Sequence, residues 1–438
     1  MPSLPTDSFD YVGYAVDNLP SWYQTPALNA ANNTPADNPI TNAGAELGRV
    51  LFYDPRLSHN DGTSCASCHI QENGFSDPDQ FSEGFEGGLT GRHSMGLTNA
   101  MFYQPGNFFW DERADTLEDQ VLMPIQDAVE MGSTLEQLTG ENSAEPGELG
   151  QTEFYPELFE RAFGDSEITS DRMAKAMAQF VRSMVSYKSK FDEALEANQL
   201  SDVLTADELA GHNIFNARCG SCHGTRAQVA DETHNIGLDA VDTDDGAGDG
   251  EFKVPSLRNV AVRDGFMHDG RFSTLEEVIE FYSTGVQNNT NLSPGVRPGG
   301  FRFSETQKAQ LLAFLNTLTD QEFLSAEMFS NPFVQLEGDY NGDGVVDVDD
   351  FEVWKSMVGM TAANSTELLW ADGNLDGVID QADYAVWRNN LGARWDDVIT
   401  TFALATAAPE PSTATMLALA IAALARRKRR RSVHPPPE

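Results

Sequence analysis

Cys65-Ala66-Ser67-Cys68-His69 decides how this chain is read. Two thiols three positions apart, followed at once by histidine, form the C-x-x-C-H pattern of covalent c-type haem attachment. Each thiol bonds one vinyl group of a porphyrin, and the histidine offers an imidazole nitrogen to the iron. The pattern returns at Cys219-Gly220-Ser221-Cys222-His223, and the two copies use all four cysteines of the chain. A zinc site built from two cysteine pairs is the competing reading, but its pairs usually stand about 15–20 residues apart. Here the pairs begin at positions 65 and 219, and zinc requires no histidine after either. Two covalent haems are therefore expected, with His69 and His223 as iron ligands.

Composition narrows the class further. The chain has 438 residues, enough for two or three domains. It carries 68 acidic against 28 basic residues, a net charge of −40, and six of the basic residues run together from Arg426 to Arg431. Such a surface repels nucleic acid and suits a protein outside the cytoplasm. Haem attachment to C-x-x-C-H follows export, so periplasm or cell surface is the expected location. Met1-Pro2-Ser3-Leu4-Pro5 has no basic start and no apolar run, so a true start upstream is expected.

Taken in order, residues 1–40 are rich in Pro, Asn and Ala and show little periodicity; they are expected to be irregular unless they wrap a neighbour. Gly48 to Asp54 forms an apolar approach to the first motif, and 73–91 reads as a Gly-, Phe- and Asp-rich loop. An aromatic cluster at Phe108-Phe109-Trp110 feeds a short helix near Leu117. The spacing of Met173, Met177, Phe180 and Met184 predicts a helix over 169–188 with this stripe in the core. Thr205-x-x-Glu208 and Thr274-x-x-Glu277 are capping boxes. On the second helix Leu275, Val278, Ile279 and Tyr282 share a face, which turns Tyr282 inward. Leu311, Leu312, Phe314, Leu315 and Leu318 mark a last amphipathic helix.

These pieces, in this order, resemble the bacterial di-haem cytochrome c peroxidase family, which includes MauG-like enzymes. The resemblance covers about 40–325. It rests on both haem motifs, Trp110-Asp111-x-Arg113-Ala114, Gln120, Pro124-Ile125, Glu130-Met131, Lys253-Val254-Pro255-x-Leu257-Arg258-Asn259, His268-Asp269-Gly270 and Phe314-Leu315-x-Thr317-Leu318-Thr319. It implies a mainly α fold of two cytochrome-c-like helical domains, with the first (peroxidatic) haem domain at 41–200 and the second (electron-transfer) at 201–330. By the same resemblance His69 ligates the peroxide-reacting haem, Gln120 and Glu130 line its open face, Trp110 lies between the haems, and His223 ligates the electron-accepting haem. The chemistry agrees. A carboxylate such as Glu130 can take a proton from peroxide and return it to the leaving oxygen, a contribution of about 10²–10⁴ in rate. Gln120 can hydrogen-bond the bound peroxide.

Three expected departures from the family follow. Tyr282 stands where many members place a distal methionine and MauG-like members a tyrosine; tyrosinate is a haem ligand, and Met267 is its competitor. Members bind calcium between the domains partly through an asparagine; His93 stands there, and the backbone segment Arg263 to Gly265 is also altered, so that calcium is not expected. Many members rest with a histidine capping the first haem. The corresponding loop, Gly84-Phe85-Glu86-Gly87-Gly88-Leu89-Thr90-Gly91-Arg92-His93, has glycine at the cap position, so an open first haem is expected, with His93 or Met95 as rival caps.

The C-terminal part reads separately. Asp339, Asn341, Asp343, Asp347 and Asp350 place oxygen at loop positions one, three, five, nine and twelve, with Gly344 at six. Asp372, Asn374, Asp376, Asp380 and Asp383 repeat the pattern 33 residues later, and a helix containing Trp354 or Trp387 follows each loop. The pair resembles a type I dockerin over 336–394, a small helical module binding two calcium ions. Resemblance implies a cohesin-bearing scaffold as partner, chosen through Val348-Asp349 and Gln381-Ala382. Residues 395–438 form a linker and tail: Pro409-Glu410-Pro411, an apolar run from Thr413 to Ala425, then the basic cluster. The run is shorter than the about 20 residues of an ordinary spanning helix. It resembles a PEP-CTERM sorting tail, with transient membrane association.

Three functions fit the whole. One is reduction of hydrogen peroxide with electrons from a small c-type cytochrome or cupredoxin. The second is a MauG-like oxidase acting on a protein or organic substrate. The third is a surface electron-transfer cytochrome, which would need no Glu130–Gln120 pair.

Overall fold

The computed structural model describes residues 2–393, except 3, 6, 105, 230–231, 334–336, 342–344, 362–370 and 375. Asp343 and the proposed sorting tail lie outside the described residues. The chain divides into two units, residues 2–334 and 335 onward.

The larger unit is built from helices that cross through glycine. The Asn42–Tyr53 helix, capped by Thr41, packs on the Ser170–Ser183 helix, capped by Thr169. A Cβ at Gly48 would stand 2.0 Å from the Ala176 carbonyl, so only glycine permits this crossing. The second half repeats the device. The Ala206–Arg218 helix packs on Glu305–Asn316, and a Cβ at Gly211 would stand 1.9 Å from the Gln310 carbonyl. Each pair builds its own apolar core. One contains Leu47, Leu51, Met173 and Met177; the other contains Phe215, Leu275, Ile279, Leu311 and Phe314. Among the described residues strand is confined to Thr233–His234 and Phe252–Lys253, which pair antiparallel.

Met173, Met177, Phe180 and Met184 are fully buried, as a core stripe should be. Their helix ends at Ser183, short of the expected 188. The reason is local: the backbone N–H groups of Tyr187 and Lys188 leave the helix to donate to Asp320 Oδ2 at 3.1 and 2.8 Å. Both capping boxes are present, at Thr205/Glu208 and Thr274/Glu277. The second helix runs from Leu275 to Glu280 and then widens into a π-turn, Phe281–Gly285, which carries Tyr282.

Residues 7–40 wrap the helices. Tyr11, Tyr23 and Leu28 are fully buried, each contributing roughly the 1.5–3 kcal/mol of a large side chain taken from water. Tyr11 donates to the Met328 carbonyl at 2.8 Å and Tyr23 to that of Ser186 at 2.7 Å. Trp22 Nε1 donates to Asp192, which also holds the buried Arg258 in an ion pair.

The smaller unit is described by itself. Its helices, Val348–Met357 and Gln381–Asn390, are capped by Asp347 and Asp380. Trp354 Nε1 donates to the Asp380 carbonyl at 2.9 Å, and Trp387 Nε1 donates to that of Asp347 at 2.6 Å. The repeats thus clasp each other reciprocally. No helix among the described residues is long and apolar enough to cross a membrane.

Candidate active site

In the larger unit a cavity lies at each C-x-x-C-H motif. Cys68 and His69 line the first; Cys219, Cys222 and His223 line the second. The cysteine pairs therefore do not converge on one point, as a zinc site would need.

The proximal histidines are set by carbonyls. His69 Nδ1 donates to the Phe75 carbonyl at 2.9 Å, and His223 Nδ1 to that of Gln228 at 3.1 Å. Each bond fixes the tautomer that leaves Nε2 bare, the form an iron ligand needs. Burial pushes both imidazoles down, His223 to about 4, so both are neutral donors at physiological pH. Half-buried paired thiols, a bare imidazole and a largely apolar surround suit a covalently held haem in each cavity. The carbonyl partners escaped sequence reasoning, because backbone acceptors carry no side-chain signal.

On the first cavity's wall stand Gln120, from the Leu117–Gln126 helix, and Glu130, from the turn after it. Thr116 caps that helix, and Asp127 Oδ1 accepts from the Val129 and Glu130 backbone N–H groups, which shapes the turn. Neither the Gln120 amide nor the Glu130 carboxylate has a side-chain hydrogen-bond partner among the described residues. Burial, and then the neighbouring Asp127, push the Glu130 carboxyl above the usual range, against a smaller opposing pull from Arg113.

Trp110 lines both cavities. Its Nε1 donates to the His93 carbonyl at 2.8 Å, while its own carbonyl accepts from Lys253 N at 2.9 Å. Beside it Asp111 pairs with Arg92 at 2.6 Å, and Arg92 with Asp244 at 2.7 Å, a chain that ties the Trp110 loop to the acidic loop of the second half. No local pattern marks this chain of ion pairs, whose members lie up to 152 positions apart.

Tyr282 projects into the second cavity with Cys219 and Cys222. Burial raises its hydroxyl far above the ordinary phenol range, and the hydroxyl has no hydrogen-bond partner among the described residues. Met267 lines the same cavity with a left-handed backbone, φ 71°. His93 lines both cavities, its Nε2 3.2 Å from Ser76 Oγ.

In the smaller unit Asp350 and Asp383 are fully buried. Asp350 accepts from the backbone N–H groups of Tyr340 and Asn341 at 2.8 and 3.0 Å and of Asp347 at 2.7 Å; Asp383 accepts from those of Asn374 and Asp380. Asp372 accepts from the N–H groups of Asp376 and Gly377, which closes the second loop. Oxygen side chains are the donor type a hard cation takes, but among the described residues no three acidic, histidine or cysteine side chains converge on one point.

Comparison with known proteins covers the same regions. Residues 42–200 match the family "Di-haem cytochrome c peroxidase", 209–319 match "Cytochrome c", and 337–392 match "Dockerin type I domain". The chain is 34% identical over 297 residues to the methylamine utilization protein MauG of Methylorubrum extorquens, covering 65% of this chain and 80% of the relative. It is 33% identical over 295 residues to cytochrome c551 peroxidase of Nitrosomonas europaea, covering 64% and 80%. A solved MauG-like protein associated with microbial copper homeostasis superposes with a TM-score of 0.63 at 30% identity, over 72% of this chain and 99% of that one.

Proposed function

Because this chain belongs to the di-haem cytochrome c peroxidase and MauG family, we propose that it reduces hydrogen peroxide to water at the His69 cavity, with electrons that arrive through the His223 cavity. One observation carries the reading. Gln120 and Glu130, an amide and a carboxylate without side-chain hydrogen-bond partners among the described residues, line the cavity that His69 lines. A surface electron relay has no use for such a pair.

Cys65, Cys68 and His69 would hold one haem, and Cys219, Cys222, His223 and Tyr282 the other. When bound, the haems supply the open coordination position for peroxide and the store of electrons. The protein does the rest. Gln120 orients peroxide by a hydrogen bond from its amide. Glu130 takes a proton from one peroxide oxygen and delivers it to the other as the O–O bond breaks. Two electrons and two further protons complete the conversion of one peroxide to two waters. Trp110, in the wall common to both cavities, shortens the electron's path. The test is steady-state turnover with a reduced small c-type cytochrome or cupredoxin: two donors should be oxidised per peroxide consumed. Peroxide loss without donor oxidation would instead favour the MauG-like oxidase, which the unpartnered Tyr282 hydroxyl also suits as a ligand of the second iron.

The smaller unit serves attachment in this reading. Its two loops each hold one calcium, Asp343 among the first loop's ligands, and its helices bind a cohesin-bearing scaffold at the cell surface. The tail from Pro409 is a PEP-CTERM-like sorting signal that associates with the membrane in passage. Export to the periplasm or surface follows from both. Chelation should unfold residues 337–392 while the haem spectra persist. Hydrogen exchange on the full chain checks this; unaltered protection of both helices after calcium removal would refute it.

A further inference from the structure

The second cavity is lined by a cation that the reaction above does not use. Arg263 follows the turn Val260–Val262 and is 9% exposed. Its Nη2 donates to the Arg258 carbonyl at 3.0 Å, and its Nε has no partner. Nη1 makes no hydrogen bond to the protein among the described residues, and no carboxylate there pairs with the guanidinium. Arg258, which is fully buried, shows the ordinary arrangement: Asp192 holds it in an ion pair. A buried arginine without an anion is rare, because the uncompensated charge is costly.

The surroundings are fitted to this guanidinium. Gly96 sits over it, and a Cβ there would stand 2.6 Å from Cζ. Gly74 leaves room on another side, where a Cβ would meet Nε at 3.4 Å. Gly96 lines both cavities, so its missing side chain leaves the cation uncovered at their common wall, and Arg263 itself lines the second cavity. The neighbouring His93 adds no negative charge. Burial lowers the arginine to about 10, so it remains charged at neutral pH.

We propose that the Arg263 guanidinium receives a propionate carboxylate of the haem at His223 and that this pairing raises that haem's reduction potential. The inference rests on the reading that a haem is bound at residues 219–223. The cofactor brings the anion that the protein withholds. With the pair intact, the propionate's negative charge is neutralised beside the iron, and the ferric state loses that stabilisation.

Spectroelectrochemistry of the full chain tests it, with pyridine haemochrome first counting haems. Two haems per wild-type chain secure the reading; fewer would remove it and the inference with it. Arg263→Gln should retain both haems and lower the reduction equilibrium constant of the His223 haem roughly tenfold, about 59 mV for one electron. Arg263→Lys, which keeps the charge, should recover at least half of that shift. An unchanged potential in Arg263→Gln, with unchanged propionate-bending bands in its resonance Raman spectrum, overturns the pairing. So does a wild-type potential that moves with added chloride or phosphate while those bands stay fixed, which would assign the cation to a free anion. Should Arg263→Gln fail to take up both haems, the wild type decides: its propionate bands should shift in D2O, and bands that do not shift overturn the inference.

Discussion

Glu130→Gln retains both haems and cleaves peroxide at least roughly tenfold more slowly, within the about 10²–10⁴ range that a positioned acid–base group supplies. The substitution is nearly isosteric, and the Glu130 side chain makes no protein hydrogen bond, so the fold has nothing to lose. Its backbone N–H to Asp127 and its carbonyl, which accepts from Phe85 N at 3.1 Å, are untouched. What disappears is the only function proposed for the side chain, accepting and returning a proton. The acid limb of the pH profile gives a second readout. Burial and Asp127 raise the Glu130 carboxyl, so its basic form is fully present only above that raised value and is lost as pH falls through it. Wild-type cleavage should therefore decline at a higher pH than the about 4.3 of an ordinary glutamate. That limb should vanish in Glu130→Gln. Stopped-flow mixing with peroxide across pH measures both; equal rates in the two proteins would remove Glu130 from the mechanism.

What the sequence reveals here is whatever lies close together along the chain. The haem motifs are five contiguous residues each, the methionine stripe is one helix face, and the capping boxes span four positions. All were legible, and the match over 42–200 and 209–319 agrees with the family that those motifs indicate. What stayed hidden depends on distant pairing. Tyr11 finds its carbonyl 317 positions away at Met328, so a segment without periodicity still orders itself by wrapping helices. The Phe75 and Gln228 carbonyls that set the histidine tautomers are invisible to any reading of side chains. Arg263 read only as an altered segment; its burial without an anion emerges when Gly74 and Gly96 are seen to make room for it. The reciprocal tryptophan bonds of the smaller unit follow from the 33-residue repeat, but only once the two helices are seen to face each other.

The fully oxidised protein should show a high-spin ferric signal and turn over peroxide without prior reduction. A first haem capped by a histidine would need reductive release of that cap; the one histidine of the loop in question, His93, is held by other partners. Gly84 N donates to the Gly88 carbonyl at 2.8 Å, and Phe85 N ties the turn to Glu130. A Cβ at Gly84 would lie 1.7 Å from the Val129 carbonyl, so the start of this loop is pressed against the backbone beside Glu130. Among the described residues the histidines lining this cavity are His69 and His93. His93 is 4% exposed, with Nδ1 3.1 Å from the Asp79 carbonyl and its backbone N–H bonded to the His268 carbonyl at 2.8 Å. Its ring fills the space over Gly265, where a Cβ would be 2.2 Å away. Swinging it to the iron would break these bonds and empty a packed site, at about 1 kcal/mol or more per bond. Met95 is the other rival, and its backbone lies against the His69 ring. Gln120 and Glu130 line the same cavity with no side-chain hydrogen-bond partner among the described residues. Electron paramagnetic resonance of the oxidised full chain reads the spin state, and stopped-flow mixing of that same sample with peroxide reads its readiness. Two low-spin signals, together with activity only after reduction, would mean that a protein ligand closes the first iron and that this account of the Gly84–His93 loop is wrong.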